Sequence, residues 1–211
     1  CFERSKHPFH ARPVRTPFLP NKDGTVVINS NLFLDDGKNI ILGPTNLGIW
    51  IFNPATEQYR RPIYTNDSVK LYIERDFIDD ITTLRNGNFL LLGRDGLYLL
   101  EGGSYKLSML DVPAAKENTN RAIERSDGKI WVITGKGVHL LSDSLKHIAS
   151  MSGPARHLPL WAGHLRANDD LLITGTGSLY IASYLNNSIS VKPFTNRFDG
   201  IVLNSVYEDK K

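Results

Sequence analysis

Short apolar runs recur along the chain, each bracketed by turn residues. Residues 40–42, 89–92, 130–133 and 171–173 each follow a turn pair: Asp36-Gly37, Asn86-Gly87, Asp127-Gly128 and Asn168-Asp169. After four to six intervening residues a second apolar run begins, at residues 49–52, 97–100, 138–141 and 179–182. Asp/Asn-Gly supplies the positive φ that a tight hairpin needs. Runs this short, rich in Ile, Leu, Val and aromatics, read as β-strands, and their pairing reads as an antiparallel hairpin. Their near-continuous hydrophobicity predicts cover on both faces. A further strand is predicted before each turn, at residues 32–34, 81–84, 122–124 and 164–166. Another follows each hairpin, at residues 58–64, 105–110, 145–151 and 189–194. That last strand is more polar and carries Pro62 and Pro193, which suits an outer edge where a missing N–H costs nothing. Helical periodicity is weak, with only residues 114–121 suggesting a short helical turn.

The unit repeats. Gly87 to Gly128 is 41 residues and Gly128 to Asp169 is 41 again, while Gly37 to Gly87 is 50. The extra length falls at residues 44–47 and 65–76. Four strands per ~41 residues with a polar fourth strand is the pattern of a β-propeller blade. The expected fold is therefore all-β, with four four-stranded blades at about 25–65, 77–111, 121–152 and 163–195. A further blade begins at 204–211. Residues 1–13 read as a basic arm, and 14–24 as the outer strand of a preceding blade and its linker. The ends are in phase, since Arg15-Thr16-Pro17-Phe18 resembles Val191-Lys192-Pro193-Phe194 and each is followed by Asp-Gly at the same spacing. The partial blades at the two ends would supply an inner and an outer strand without the central hairpin. The chain is thus expected to be a piece of a larger ring, with a small four-bladed ring as the alternative.

Composition and charge narrow the partners. The 211 residues are 41% hydrophobic and 22% charged, with 17 Gly and 11 Pro, which excludes collagen-like and disordered chains. The net charge of +3 is uneven: residues 1–22 carry +4 and the rest −1. A neutral body lacks the basic stripe of a nucleic-acid binder, so no nucleic-acid partner is expected. The single cysteine, Cys1, forms no intrachain disulfide. A leading cysteine is also the residue acylated in processed lipoproteins, which is a minor alternative here. No apolar run reaches the roughly 18 residues of a membrane helix, so any membrane contact would come through segments absent from this chain.

The third unit, Asp127-Gly128-Lys129-Ile130-Trp131-Val132-Ile133-Thr134 followed by Gly137-Val138, resembles the two-component regulator propeller repeat. That family's pattern runs D-x-x-G-x-L-W-I-G-T-x-x-G-L. The stretch from Phe194 to Asp209 resembles its inter-blade linker, with Asp199-Gly200-Ile201, then Asn204-Ser205 and Val206-Tyr207-Glu208-Asp209. The likeness covers about residues 14–211. The hallmark Trp occurs only at Trp131; Ile41, Leu90 and Leu172 stand in the equivalent places. The resemblance implies a seven-bladed ring in the periplasmic sensor half of a hybrid histidine kinase of Bacteroides type. It further implies an oligosaccharide ligand, a homodimer in the full-length protein, no enzymatic activity in this chain and no cofactor.

Binding in a propeller favours the rim built from the turns inside the central hairpins and the linkers between blades. On that rim the candidate ligand-binding residues are Arg75, Asp76, Arg94, Asp95, Lys136, His157 and Trp161. Asn46, Asn118 and Arg121 lie on the same loops. Arginine, carboxylate and an exposed aromatic together suit a glycan or an acidic sugar. No catalytic or metal-ligating set is assigned. His7 and His10 lack further ligands nearby, and Gly175-x-Gly177 is a hairpin turn, since no helix follows. His157 and His164 flank Trp161 and would serve a propeller lyase or hydrolase, the enzymatic alternative; a protein-interaction scaffold is the third. The aromatic series Trp50, Tyr98, His139 and Tyr180 takes one repeat position and is expected to pack between blades, as is Trp131.

Overall fold

Strand alternation and the turn glycines divide the chain into repeated antiparallel sheets. The computed structural model describes residues 33–35, 37–42, 48–152, 160, 162–175, 178–195 and 206. Blade 1 is β1 (Phe33–Asp35), β2 (Ile40–Leu42), β3 (Trp50–Asn53) and β4 (Gln58–Arg60). Next come β5 (Ile63–Tyr64) and α1 (Asp67–Ile73). Blade 2 is β6 (Ile78–Thr83), β7 (Phe89–Gly93), β8 (Leu97–Leu100) and β9 (Lys106–Met109). Blade 3 is β10 (Thr119–Glu124), β11 (Ile130–Thr134), β12 (Gly137–Leu141) and β13 (His147–Ser152). Blade 4 is β14 (Gly163–Leu165), β15 (Leu171–Gly175), β16 (Ser178–Leu185) and β17 (Ser188–Thr195). Each blade is a meander of antiparallel neighbours, and the fold is a β-propeller.

Three features depart from the sequence expectation. The outer strand expected over residues 58–64 is split: β4 stays in blade 1, while β5 crosses over and pairs in parallel with β9 of blade 2. Pro62, between them, cannot donate to a ladder, so the strand breaks there. Residues 65–76 hold α1, which the weak helical periodicity did not predict. Its N-cap is Asn66, whose Oδ1 accepts from the Val69 amide at 2.9 Å, and Val69 and Ile73 bury its inner face. The helical turn expected over residues 114–121 is a 3₁₀ turn at Pro113–Lys116, and β10 already begins at Thr119.

The core lies between blades. Successive side chains of a strand point to opposite faces, so Phe89, Leu91, Tyr98 and Leu100 pack toward Ile41, Ile49 and Ile51 of blade 1. Leu90, Leu92 and Leu97 pack toward Ile130, Val132 and Leu141 of blade 3. Trp131, Ile133, Val138 and Leu140 meet Leu171, Ile173, Tyr180 and Ala182 of blade 4. Every residue of β7, β11 and β12 is buried. Each large aliphatic side chain taken out of water there contributes about 1.5–3 kcal/mol. The aromatic series shares one rung: Trp50 pairs with Leu42, Tyr98 with Leu91, His139 with Val132 and Tyr180 with Ile173. Tyr98, His139 and Tyr180 are buried, and the Arg61 guanidinium lies 3.9 Å over the half-buried Trp50 ring.

The turns at residues 84–88, 125–129 and 166–170 share one end of the blades, here the lower rim. Neighbouring blades are joined there. Arg85 N–H donates to Glu124 at 2.7 Å. Ser126 donates both its N–H and its hydroxyl to the Asp169 carboxylate, and Trp131 Nε1 donates to Asp169 O at 3.2 Å. Asp169 stands where the other repeats have glycine, at φ 65°. It accepts some backbone strain and gains a clamp to blade 3 that glycine cannot make.

Candidate functional site

The upper rim carries the hairpin turns at residues 93–96 and 134–137 together with the linkers between blades. In blade 2 the linker after α1 delivers Asp76 into the hairpin. Asp76 Oδ1 accepts from the amides of Phe77 at 2.7 Å, Arg94 at 2.9 Å and Asp95 at 3.0 Å. Tyr98 Oη donates to Asp76 Oδ2 at 2.8 Å. The carboxylate fits because the strand ends in Gly93, where a Cβ would stand 2.1 Å from Asp76 Oδ2. Asp76 is 2% exposed. Burial pushes its carboxyl above the ordinary value, and the Asp95 and Phe77 amides and Tyr98 only partly offset this. Burial, with Asp76 beside it, also raises the Tyr98 phenol. Of the rim residues expected to meet ligand, Asp76 is therefore the one that holds the loop: its acceptor sites face the protein.

Asp76 brings Arg94 and Asp95 together, with Arg75 adjacent in the chain. Arg94, Asp95 and Arg75 are exposed. Arg94 Nε reaches Asp79 Oδ2 at 3.3 Å while its guanidinium lies 4.3 Å over the Phe77 ring. That contact orients the arginine and leaves half of its side chain, 54%, in solvent. Lys136 sits on the corresponding turn of blade 3 and is exposed, its amide held by Thr134 Oγ1 at 3.2 Å. The two turns belong to adjacent blades joined by Thr119, whose hydroxyl donates to Gly93 O at 2.7 Å. His157 and Trp161 lie outside the described residues.

Blade 3 repeats the device with other chemistry. Glu117 lies 41 residues after Asp76. Its Oε2 accepts from the Thr134 hydroxyl and lies 3.1 Å from His139 Nε2. Thr134 replaces Gly93, so its hydroxyl fills the space and the longer acid grips side chains in place of amides. The expectations for the rim did not include Glu117 or its partner Thr134, yet the 41-residue offset from Asp76 marks Glu117. The same offset links Asp80 to Arg121, on the innermost strands β6 and β10. Arg121 Nη1 donates to Asp80 Oδ2 at 3.1 Å across the seam between blades. Burial raises the Asp80 carboxyl, with Arg121 lowering it in part. Among the described residues no group of three His, Cys, Asp or Glu side chains is placed to hold a metal. Among them, too, no helix is long and apolar enough to cross a membrane.

No protein-family model and no curated protein matches this chain. Its fold matches several solved propellers. One is the extracellular domain of a B. thetaiotaomicron protein described as a hybrid two-component system. It is 20% identical with a TM-score of 0.54, and the match covers 85% of this chain and 23% of that one. A second such domain from B. thetaiotaomicron is 16% identical with a TM-score of 0.51, covering 83% of this chain and 27% of that one. A catalytically inactive virginiamycin B lyase from Staphylococcus aureus, solved with quinupristin, is 14% identical with a TM-score of 0.61; the match covers 87% and 60% of the two chains. The chain thus spans about a quarter of the length of the two-component ectodomains. At these identities the likeness is one of fold.

Proposed function

We propose that this chain is part of the periplasmic sensor domain of a two-component signalling protein, and that it binds an oligosaccharide on the upper rim of blades 2 and 3. One observation carries the reading. A buried carboxylate, Asp76, fixes the turn that presents Arg94 and Asp95 beside Arg75, so exposed polar groups stand on a rigid frame. A preorganised loop with both donors and acceptors is what recognition of a hydroxyl-rich ligand requires. The shared fold with two-component ectodomains supports the sensor role. In the full-length protein a homodimer of sensor domains shifts between two arrangements as ligand binds, and that shift in population carries the signal. The test is a glycan array probed with this chain and with Arg94→Ala. Binding of an oligosaccharide that Arg94→Ala weakens supports the reading; no binding to any glycan defeats it.

A lyase is the second reading. It is favoured by the fold shared with virginiamycin B lyase and by His164, which lies on the innermost strand β14. Turnover of an acidic polysaccharide that is lost in His164→Ala or His157→Ala would support it. Glycan binding without turnover would defeat it.

A further inference from the structure

We infer that Arg121 anchors an acidic group, a carboxylate or a sulfate, on the oligosaccharide proposed above, in the cleft between β6 and β10. This rests on the oligosaccharide reading and adds the ligand's charge and its anchor.

The cleft is about 440 Å³ and is lined by Asp80, Thr82, Arg85, Arg121 and Glu124, among others. That is room enough for a small ligand, since such sites run from about 300 to 1,000 Å³. Two arginines lie in it, and they differ in commitment. Arg85 is engaged from both sides: its Nε pairs with Glu124 Oε1 at 3.3 Å and its Nη1 donates to Ser126 O at 3.1 Å. Among the described residues Arg121 makes one polar contact, from Nη1 to Asp80 Oδ2 at 3.1 Å, and 51% of its side chain is exposed. A guanidinium has five N–H donors in a planar fork that matches a carboxylate or sulfate in two-point contact. With one nitrogen on Asp80, the rest of the fork is open to the cleft.

The repeat explains why that capacity is left over. Asp80, Arg121 and Ala162 are spaced 41 residues apart, the first two on the innermost strands β6 and β10 and Ala162 immediately before β14. Blade 2 supplies the counter-charge at this position. Blade 4 supplies alanine, which brings no second acid. Thr82 spends its hydroxyl on Ala122 O at 3.1 Å, stitching the seam just below. The seam is therefore held at Thr82 and Arg85 independently of Arg121, which frees Arg121 for a ligand.

The test is calorimetric titration of this chain with three oligosaccharides: oligogalacturonate (carboxylate), carrageenan oligosaccharide (sulfate) and agaro-oligosaccharide (neutral). At least one acidic probe is expected to bind more tightly than the neutral one. Arg121→Ala should weaken that probe about tenfold or more, and Arg121→Lys several-fold, as loss of a two-point charged contact implies. Asp80→Asn should tighten it, because the competing carboxylate is gone; a merely structural pair would show the reverse. Which acidic probe binds identifies the group. Thermal melts check folding, and if Arg121→Ala is unfolded, Arg121→Lys and Asp80→Asn decide. Equal binding of neutral and acidic probes, or unchanged affinity in the Arg121 variants, overturns the inference and leaves the oligosaccharide reading standing. Failure of all three probes overturns the inference as well; only a blank glycan array defeats the reading beneath it.

Discussion

The two rims of the propeller use carboxylates in opposite ways. On the upper rim Asp76 is buried and Asp80 largely so, and burial raises both carboxyls despite their hydrogen bonds. On the lower rim Asp127 and Asp169 are shallow. Their slight burial would raise them too, but hydrogen bonds and cations outweigh it and hold both below the ordinary value. Lys129 and Arg125 act on Asp127, at 2.7 and 3.1 Å, and Ser126 acts on Asp169. The lower rim joins one blade to the next with solvent-accessible clamps, which are cheap to form. The upper rim places acids where they cost stability and gain a fixed loop geometry. Unfavourable burial of acids concentrated at one end of a fold is expected where that end has a task besides stability.

The comparison breaks most readily at Asp76. Asp76→Ala strands three amides and a phenol in a buried site, and should cost about 3–4 kcal/mol in urea unfolding, since each unsatisfied buried group costs about 1–3 kcal/mol. Asp76→Asn, which keeps the acceptor, should cost much less. Gly93→Ala comes next, at about 2–3 kcal/mol, because the new Cβ overlaps Asp76. A loss below about 0.5 kcal/mol would mean that Asp76 retreats freely and the loop is not locked. Glu117→Ala in blade 3 should be milder, about 1–2 kcal/mol, because its side chain is 20% exposed and water can replace it. Asp169→Asn on the lower rim should cost under about 1 kcal/mol, as exposed contacts do. Asp169→Gly should be close to neutral, with relief of positive φ offsetting the lost clamp.

Acidity gives the smallest and sharpest difference. Asp127 and Asp169 have lowered folded values, so their contribution is complete above the ordinary carboxylate pKa of about 3.9 and is lost as pH falls below it. Asp76 and Asp80 are raised, so their contribution is greatest when protonated and declines as pH rises from about 3.9 toward their folded values. Melting temperature against pH should therefore flatten on the acid side in Asp169→Asn, and should rise relative to the parent above that window in Asp80→Asn if folding is otherwise kept. Matching pH profiles in the two variants would erase the distinction between the rims.

Much of this was legible in the chain. The 41-residue spacing and the doubly buried hairpins defined blades, and the rung of Trp50, Tyr98, His139 and Tyr180 followed from counting. These features are local: turn chemistry and hydrophobic runs express the backbone's own preferences over a few residues. The crossing of β5 to blade 2 was not legible, because a two-residue strand has no periodicity and its partner lies more than 40 residues away. The helix α1 was hidden for a similar reason, since seven residues give too few turns to show a stripe.

The rim shows the same division. Its loops, and the residue types on them, could be read from the repeat, and so Arg75, Asp76, Arg94, Asp95 and Lys136 could be gathered as one set. Their roles could not. Asp76 and Asp95 are both acids on upper-rim loops, yet one is buried under three amides and the other is exposed. The chain alone determined the blade, its turns and the end of it that carries the loops. Only the packed structure decided which acid faces inward, because that depends on the space beside Gly93 and on Tyr98 reaching across it, and solvation at a given atom is set by neighbours distant in sequence.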